Sequence, residues 1–198
     1  LTESQATSLM LKGKHCTGVS IIRKGRPARA QAGREVILAG GSIGSPQLLQ
    51  LSGIGPVNHL KDLGIKVNHD LSGVGENLQD HLQIRAVYKV KNTKTLNERA
   101  NTLVGKIGIG LEYFLFKRGP MTMAPSQLGG FAKSDPDKET PNLEYHVQPL
   151  SLPKFGQPLD PFPAFTASVC NLRPESRGHV RIKSGNPLPQ PAIRPNYL

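Results

Sequence analysis

The sequence predicts a mixed fold of class α/β (α+β), with an open α/β domain over residues 1–81 followed by an antiparallel sheet with helices over residues 82–198. The first part contains an apolar run, a glycine-rich turn and a helical pattern in that order, as in a parallel sheet covered on both faces. The second part contains several segments in which apolar and polar residues alternate. Turns rich in proline connect these segments and favour antiparallel pairing.

A predicted strand, turn and helix organise the first domain. Residues 36–38 (Val-Ile-Leu) form an unbroken apolar run, which predicts a short buried strand. Residues 39–41 (Ala-Gly-Gly) have almost no side chains, so a flat or charged group can approach the backbone. We predict that Ser45 caps a helix whose first residue is Pro46 and which ends at Gly53. This arrangement is the usual site for a nucleotide phosphate or ribose in an α/β sheet.

The other elements of the first domain are short. Residues 1–38 predict a small β-meander, because two strand patterns flank a turn at residues 24–27. Its strands are placed at residues 16–23 and 28–32. Three further elements are predicted: a helix at residues 56–63, a strand at 65–67 and one helical turn at 76–80.

The second domain alternates between strands and one long helix. Residues 82–90 have period-two alternation, and residues 96–116 place apolar side chains at steps of three and four. We interpret that apolar stripe as core, with a break allowed by the glycines near Gly105. A proline-rich loop is predicted at residues 149–163. Four more strands are predicted, at residues 129–133, 143–148, 165–171 and 178–183.

The net charge is strongly positive. The chain has 25 Lys and Arg against 14 Asp and Glu, a formal charge of +11. This balance is typical of proteins that bind nucleic acid or an anionic surface. However, the basic residues are spread along the chain, and aromatic residues make up only 5%, with no tryptophan. We therefore favour a solvated basic surface, and nucleic acid is not an expected partner.

Neither metal binding nor membrane insertion is expected. Cys16 and Cys170 lie far apart, and the sequence has no C-x-x-C, no H-E-x-x-H and no cluster of His and carboxylates at ligand spacing. We interpret both cysteines as reduced thiols of a cytoplasmic protein. No apolar run approaches the roughly 18 to 20 residues that cross a bilayer. The sequence therefore predicts no metal and no membrane span.

Three segments carry a family resemblance. Residues 41–55 (GSIGSPQLLQLSGIG) resemble the second signature of the glucose–methanol–choline (GMC) oxidoreductases, flavin enzymes that oxidise alcohols. Residues 70–81 (DLSGVGENLQDH) resemble the segment that follows it. Residues 178–198 resemble a later segment of the family, with Asn186 in place of the usual Asp. The resemblance implies part of an FAD-binding Rossmann-like domain over residues 1–81 and part of a substrate-binding domain over residues 82–198.

The resemblance implies FAD as the cofactor and four residues that contact it. The small-residue turn of Ala39, Gly40 and Gly41 corresponds to the adenine side of the cofactor. In the family, a residue of the meander offers its backbone N–H and C=O to the adenine edge. Counting back from residues 18–19 assigns this role to Ala6.

Two residues of the second domain are candidate substrate contacts. Residues 119–131 resemble the stretch in which choline-oxidising members carry a Glu that attracts the quaternary ammonium group. This chain has the neutral Gln127, so a cationic alcohol loses its main attraction and an uncharged small-molecule alcohol is the expected substrate. His146 is the second pocket candidate, with a hydrogen-bonded sheet histidine as the alternative.

Two parts of the family's machinery are missing from the sequence. Alcohol oxidation of this kind needs a base for the hydroxyl proton and a flavin that accepts the hydride. No G-x-G-x-x-G turn occurs, and the family's catalytic His segment would follow Leu198, so no residue is assigned as catalytic. We predict part of an FAD-dependent alcohol dehydrogenase or oxidase that is inactive alone. The alternative is a non-catalytic basic binding module that retains the fold.

Overall fold

The computed structural model describes residues 1–124 and 126–197. Pro125, inside the stretch that carries Gln127, and Leu198, at the end of the C-terminal resemblance, lie outside the described residues. Both helices and sheets occur, which confirms the predicted mixed class. The elements in chain order are β1 (Ser4–Lys12), β2 (His15–Arg23), β3 (Arg26–Gln31), α1 (Gly41–Leu51), β4 (Ile54–Gly55), α2 (Val57–Asp62), β5 (His69–Asp70), β6 (Glu76–Leu78), β7 (Gln83–Lys89), α3 (Leu96–Asn101), α4 (Leu103–Phe116), a 3-10 helix (Pro120–Thr122), β8 (Leu128–Ala132), β9 (Leu143–Gln148), β10 (Ala164–Asn171), β11 (Gly178–Arg181) and β12 (Ala192–Arg194).

The chain divides into two compact units, Leu1–Asp80 with Glu175–Leu198 and His81–Pro174. The sequence analysis placed all of residues 82–198 in the second domain, whereas the structure groups the C-terminal segment with the first unit. The reason is strand pairing, because β11 lies between β6 and β12 in one antiparallel sheet. The pairing with β6 also replaces the helical turn predicted at residues 76–80, which is wrong.

A single buried side chain ties α1 to β11. The Gln50 amide nitrogen donates to the Val180 carbonyl at 2.9 Å, and the Ile182 N–H donates to the Gln50 amide oxygen at 3.1 Å. Gln50 is completely buried. Since both amide atoms satisfy backbone groups that water does not reach, Gln50 joins α1 to β11 and to the residue that follows it.

The predicted meander is confirmed, with its two placed strands as β2 and β3, and β1 completes a three-stranded antiparallel sheet as a strand that the sequence analysis did not place. Gly18 is required by its geometry, because a Cβ there would lie 2.2 Å from the Ala30 carbonyl oxygen. The strand β1 lies at the edge of this sheet and has a register shift between Ala6 and Ser8. Further along β1, the Leu9 N–H donates to the Ser52 hydroxyl at 2.8 Å, which fixes the meander to the end of α1.

The strand predicted at residues 36–38 is wrong. No strand is formed there, and Ile37 is 79% exposed. An apolar run becomes a buried strand only when a neighbour satisfies its backbone groups, and no strand among the described residues pairs with it. The other short strand of this unit is also displaced, because β5 at His69–Asp70 pairs in parallel with β4 in place of a strand at residues 65–67.

The helix α1 begins at Gly41, not at Pro46 as predicted. Gly40 is the N-cap residue, and Pro46 lies inside the helix. The Ser45 hydroxyl still serves the helix start, because it accepts the Gly40 N–H at 3.0 Å from within the helix. The predicted end is confirmed: Gly53 follows the C-cap with φ of +75°, the left-handed conformation that favours glycine.

The second unit contains the predicted antiparallel sheet, in the order β7-β10-β9-β8. Strand ends lie within two residues of their predicted positions. The long helix is divided into α3 and α4 at Thr102, whose hydroxyl accepts the Gly105 N–H at 3.1 Å. The interpretation of its apolar stripe as core is wrong, because no α4 residue is buried and Val104 is 81% exposed. None of the described helices combines the length and hydropathy of a membrane span.

Candidate functional site

A cavity of about 330 Å³ in the first unit gathers three of the four predicted cofactor residues. Ala6 of β1 lines one side, and Ala39 and Gly40 line the side next to α1. The lining is mostly apolar, and it is completed by the side chains of Val19, Leu38, Leu48 and Leu51. Such a lining suits a flat ring, with hydrogen-bonding groups supplied by the backbone.

The glycines at the start of α1 keep the backbone close to this cavity. A Cβ on Gly40 would lie 2.9 Å from the Ser45 nitrogen and 3.0 Å from the Gly44 carbonyl carbon, so a larger residue displaces the helix start. Gly41, the fourth predicted residue, is not among the described residues that line the cavity. It is the first residue of α1 and has φ of +70°. The exposed N–H groups of a helix start favour a negatively charged group.

A second cavity, of about 640 Å³, lies in the second unit and is lined by Gln127. Glu98, the one carboxylate among the described lining residues, accepts the Thr95 N–H at 3.0 Å in a capping box. Two cations also line the cavity, Lys94 and Arg99, and Arg99 pairs with Glu112 at 2.8 Å. The Glu98 carboxylate therefore caps a helix, and Gln127 contributes a neutral amide to the same lining.

His146 does not line this cavity among the described residues. Its Nε2 lies 3.5 Å from a Glu144 carboxylate oxygen, and its side chain is half-buried. The N–H of Gln127, the residue before β8, donates to the Val147 carbonyl at 3.0 Å, so Gln127 lies beside the part of β9 that contains His146. A role for His146 in substrate binding stays a prediction.

The structure also brings together a cluster that the sequence analysis missed. Glu144 and His146 on β9 lie beside Cys170 on β10, with one potential ligand atom from each within 4.8 Å of the others. The spacing of two residues between Glu144 and His146 was the available signal, since it places both side chains on one face of a strand. The third member comes from a strand whose pairing the local sequence does not reveal.

Comparison with known proteins identifies relatives over the whole chain. Residues 1–83 match the family described as GMC oxidoreductase. The chain is 39% identical over 201 residues to an "Alcohol dehydrogenase [acceptor]" of Pseudomonas putida, covering 100% of this chain and 36% of the relative. It is 40% identical over 197 residues to an "Oxygen-dependent choline dehydrogenase" of Chromohalobacter salexigens, covering 100% of this chain and 35% of the relative. The chain thus spans about a third of the length of these relatives.

Solved structures show the same fold. A formate oxidase of Aspergillus oryzae, whose description concerns FAD modification, superposes with a TM-score of 0.87 at 25% identity, over 98% of this chain and 39% of that chain. An FAD-dependent oxidoreductase of Chaetomium thermophilum superposes with a TM-score of 0.79 at 25% identity, over 98% of this chain and 40% of that chain.

Proposed function

We propose that this chain is part of an FAD-dependent oxidoreductase that oxidises the CH–OH group of an uncharged alcohol. The premise is that residues 1–83 belong to the GMC oxidoreductase family and that the whole chain is related to alcohol and choline dehydrogenases. The observation that carries the proposal is the first cavity, since Ala6, Ala39 and Gly40 were assigned from the sequence and line the same space. We place the enzyme in the cytoplasm, which the two free cysteines support.

The residues of the first cavity fit the adenine side of FAD. The apolar lining accepts a flat ring, and Ala6 lies on an edge strand, where alternate backbone groups point away from β2. We propose that Ala39, Gly40 and Gly41 let the cofactor approach the backbone at the start of α1. When bound, the flavin supplies a hydride acceptor for the alcohol carbon. No residue of this chain is assigned to take the hydroxyl proton.

The second cavity supports the preference for an uncharged alcohol. Gln127 is neutral, and the described lining has two cations, Lys94 and Arg99, against the single carboxylate of Glu98, so a quaternary ammonium group gains no net attraction there. We propose that Gln127 contacts the substrate, with its amide able to donate to or accept from a hydroxyl group.

Exchange of the matching segment of the Pseudomonas putida alcohol dehydrogenase for this chain tests the function. We expect the 198-residue chain alone to be colourless and inactive, and the exchanged enzyme to bind FAD and oxidise neutral alcohols. Gln127→Glu in that enzyme should raise kcat/KM for choline at least about tenfold, because it adds a carboxylate beside the cation. Gln157→Glu, in an exposed loop, is the matched control. Equal choline kinetics in the two variants would contradict the role of Gln127.

Substitution of Gly40 tests the cofactor surface separately. Gly40→Val places a branched side chain against the backbone at Ser45, so we expect the exchanged enzyme to lose most of its flavin absorbance. Gly33→Ala is the control, because a Cβ at Gly33 meets nothing within 4 Å and Gly33 is not among the described residues that line the cavity. The visible absorption spectrum of each purified protein, with and without added FAD, measures the effect. If the Gly40→Val enzyme has a normal flavin content, this cavity is not part of the cofactor site.

The basic binding module remains the second candidate, because the net charge is +11. A basic surface that only faces solvent needs no affinity for DNA. A nucleic-acid site instead binds DNA with an affinity that falls steeply as the salt concentration is raised. Tight, strongly salt-dependent binding of the 198-residue chain to DNA, together with an exchanged enzyme that fails to bind FAD, would favour this alternative.

A further inference from the structure

Three chemically different ligating side chains share one face of the sheet in the second unit. Glu144 and His146 are two residues apart on β9, so their side chains point to the same face. Cys170 on β10 lies directly opposite Glu144 in the antiparallel register, which brings the thiol beside the carboxylate. One ligand atom from each side chain lies within 4.8 Å of the other two.

The distances are close to those that a metal ion requires. Zinc binds thiolate sulfur at about 2.3 Å and imidazole nitrogen or carboxylate oxygen at about 2.1 Å, so tetrahedral ligand atoms lie roughly 3.4 Å apart. The His146 Nε2 and a Glu144 oxygen are 3.5 Å apart without any ion. No separation in the cluster exceeds 4.8 Å, which is at most about 1.4 Å beyond the tetrahedral value, and a change of side-chain rotamer covers that difference.

The cysteine of the cluster is buried, whereas the glutamate and the histidine are partly exposed to solvent. Cys170 is 5% exposed, and Gln83 Nε2 donates to its sulfur at 3.2 Å. An N–H group directed at the sulfur is the kind of outer contact that orients a metal-bound thiolate. Glu144 and His146 retain about a quarter and a third of their side-chain exposure, 25% and 32%. An ion can therefore enter from solvent while its sulfur ligand stays protected from oxidation.

We propose that Glu144, His146 and Cys170 form a binding site for a divalent transition-metal ion of the zinc type. Thiolate, imidazole and carboxylate ligands together suit zinc or cobalt better than magnesium or calcium, which prefer oxygen ligands alone. The thiolate and carboxylate charges balance the two positive charges of the ion. Three protein ligands leave the fourth tetrahedral position for a water molecule. This inference does not depend on the proposed oxidoreductase function.

Cobalt substitution tests the site in the full chain. Thiolate-bound Co²⁺ gives a near-ultraviolet sulfur-to-metal charge-transfer band, which reports the Cys170 bond directly. We expect the band when Co²⁺ is added to the reduced 198-residue chain and its disappearance on addition of Zn²⁺. The variant Cys170→Ser should lose the band, whereas Cys16→Ser, which removes the other free thiol, should keep it.

Two further variants keep the test decisive if Cys170→Ser fails to fold. Glu144→Gln and His146→Gln change half-buried residues, and each should weaken the Co²⁺ Kd at least about tenfold in a titration. Glu139→Gln is the matched control for the carboxylate, because Glu139 is exposed and lies outside the cluster. Circular dichroism checks the fold of every variant. Absence of the band in the unaltered chain, a band lost with Cys16→Ser, or an unchanged Kd in Glu144→Gln and His146→Gln would overturn the proposal.

Discussion

Replacing Gln50 with leucine lowers the free energy of unfolding of the first unit by about 3 kcal/mol, the larger of the two effects that we expect on stability. Leucine fills a similar volume, but it leaves the Val180 carbonyl and the Ile182 N–H without partners in a site that water does not reach. An unsatisfied buried backbone group costs about 1 to 3 kcal/mol. The desolvated pair of groups, and not lost volume, therefore causes the destabilisation.

Urea unfolding followed by far-ultraviolet circular dichroism measures this loss, and hydrogen exchange at Ile182 locates it. Gln79→Leu is the control, because Gln79 is exposed, and its free energy of unfolding should change by less than about 0.5 kcal/mol. If the two variants are equally stable, the Gln50 amide does not hold β11 to α1.

Replacing Gly75 with alanine is expected to cost at least about 2 kcal/mol in the same unit. Gly75 has φ of +84°, and a Cβ there would lie 2.2 Å from the Val180 carbonyl oxygen and 2.6 Å from the Gln50 side-chain nitrogen. The new methyl group therefore strains the backbone and separates β11 from its hydrogen-bonding partners. The Gly75 carbonyl also accepts the Val180 N–H at 2.6 Å, and that bond is lost if β11 moves.

A nearby glycine provides the control for this prediction. A Cβ at Gly73 meets nothing within 4 Å, and its φ is not in the left-handed region. Gly73→Ala should leave stability unchanged or raise it by up to about 1 kcal/mol, because it restricts the unfolded chain. Equal urea midpoints for Gly75→Ala and Gly73→Ala would show that the approach of residue 75 to β11 is not tight.

Local sequence patterns predicted the elements whose causes are local. Alternation located β7, β9 and β10, and the glycines near Thr102 indicated the break between α3 and α4. The prediction of a buried strand at residues 36–38 was wrong because a buried strand needs a neighbouring strand to pair with, and none of the described strands pairs with these residues. The prediction that the apolar stripe of α4 belongs to the core was wrong for a similar reason, because periodicity does not show what covers a helix.

Some residues of the candidate sites were predicted from the sequence, and others were missed because they meet only in the folded chain. Ala6, Ala39 and Gly40 were proposed from a family resemblance, and they line one cavity, although their contact with a cofactor stays a prediction. The metal-type cluster was missed because Cys170 and His146 are far apart in the sequence and meet only through the pairing of β9 and β10. Side chains that meet across strands need the register, which no local pattern contains.

β11 pairs with β6 and is joined to α1 by the Gln50 side chain, and these contacts have a consequence for synthesis on the ribosome. The two Gln50 hydrogen bonds span 130 and 132 residues, so they form only after the whole of the second unit has been translated. Until then the nascent first unit lacks β11 and β12, and β6 offers an open edge to neighbouring chains. Contacts of such long range slow folding, whereas residues 81–174 are contiguous and can fold earlier. The vulnerable interval for aggregation is therefore the time needed to translate the second unit.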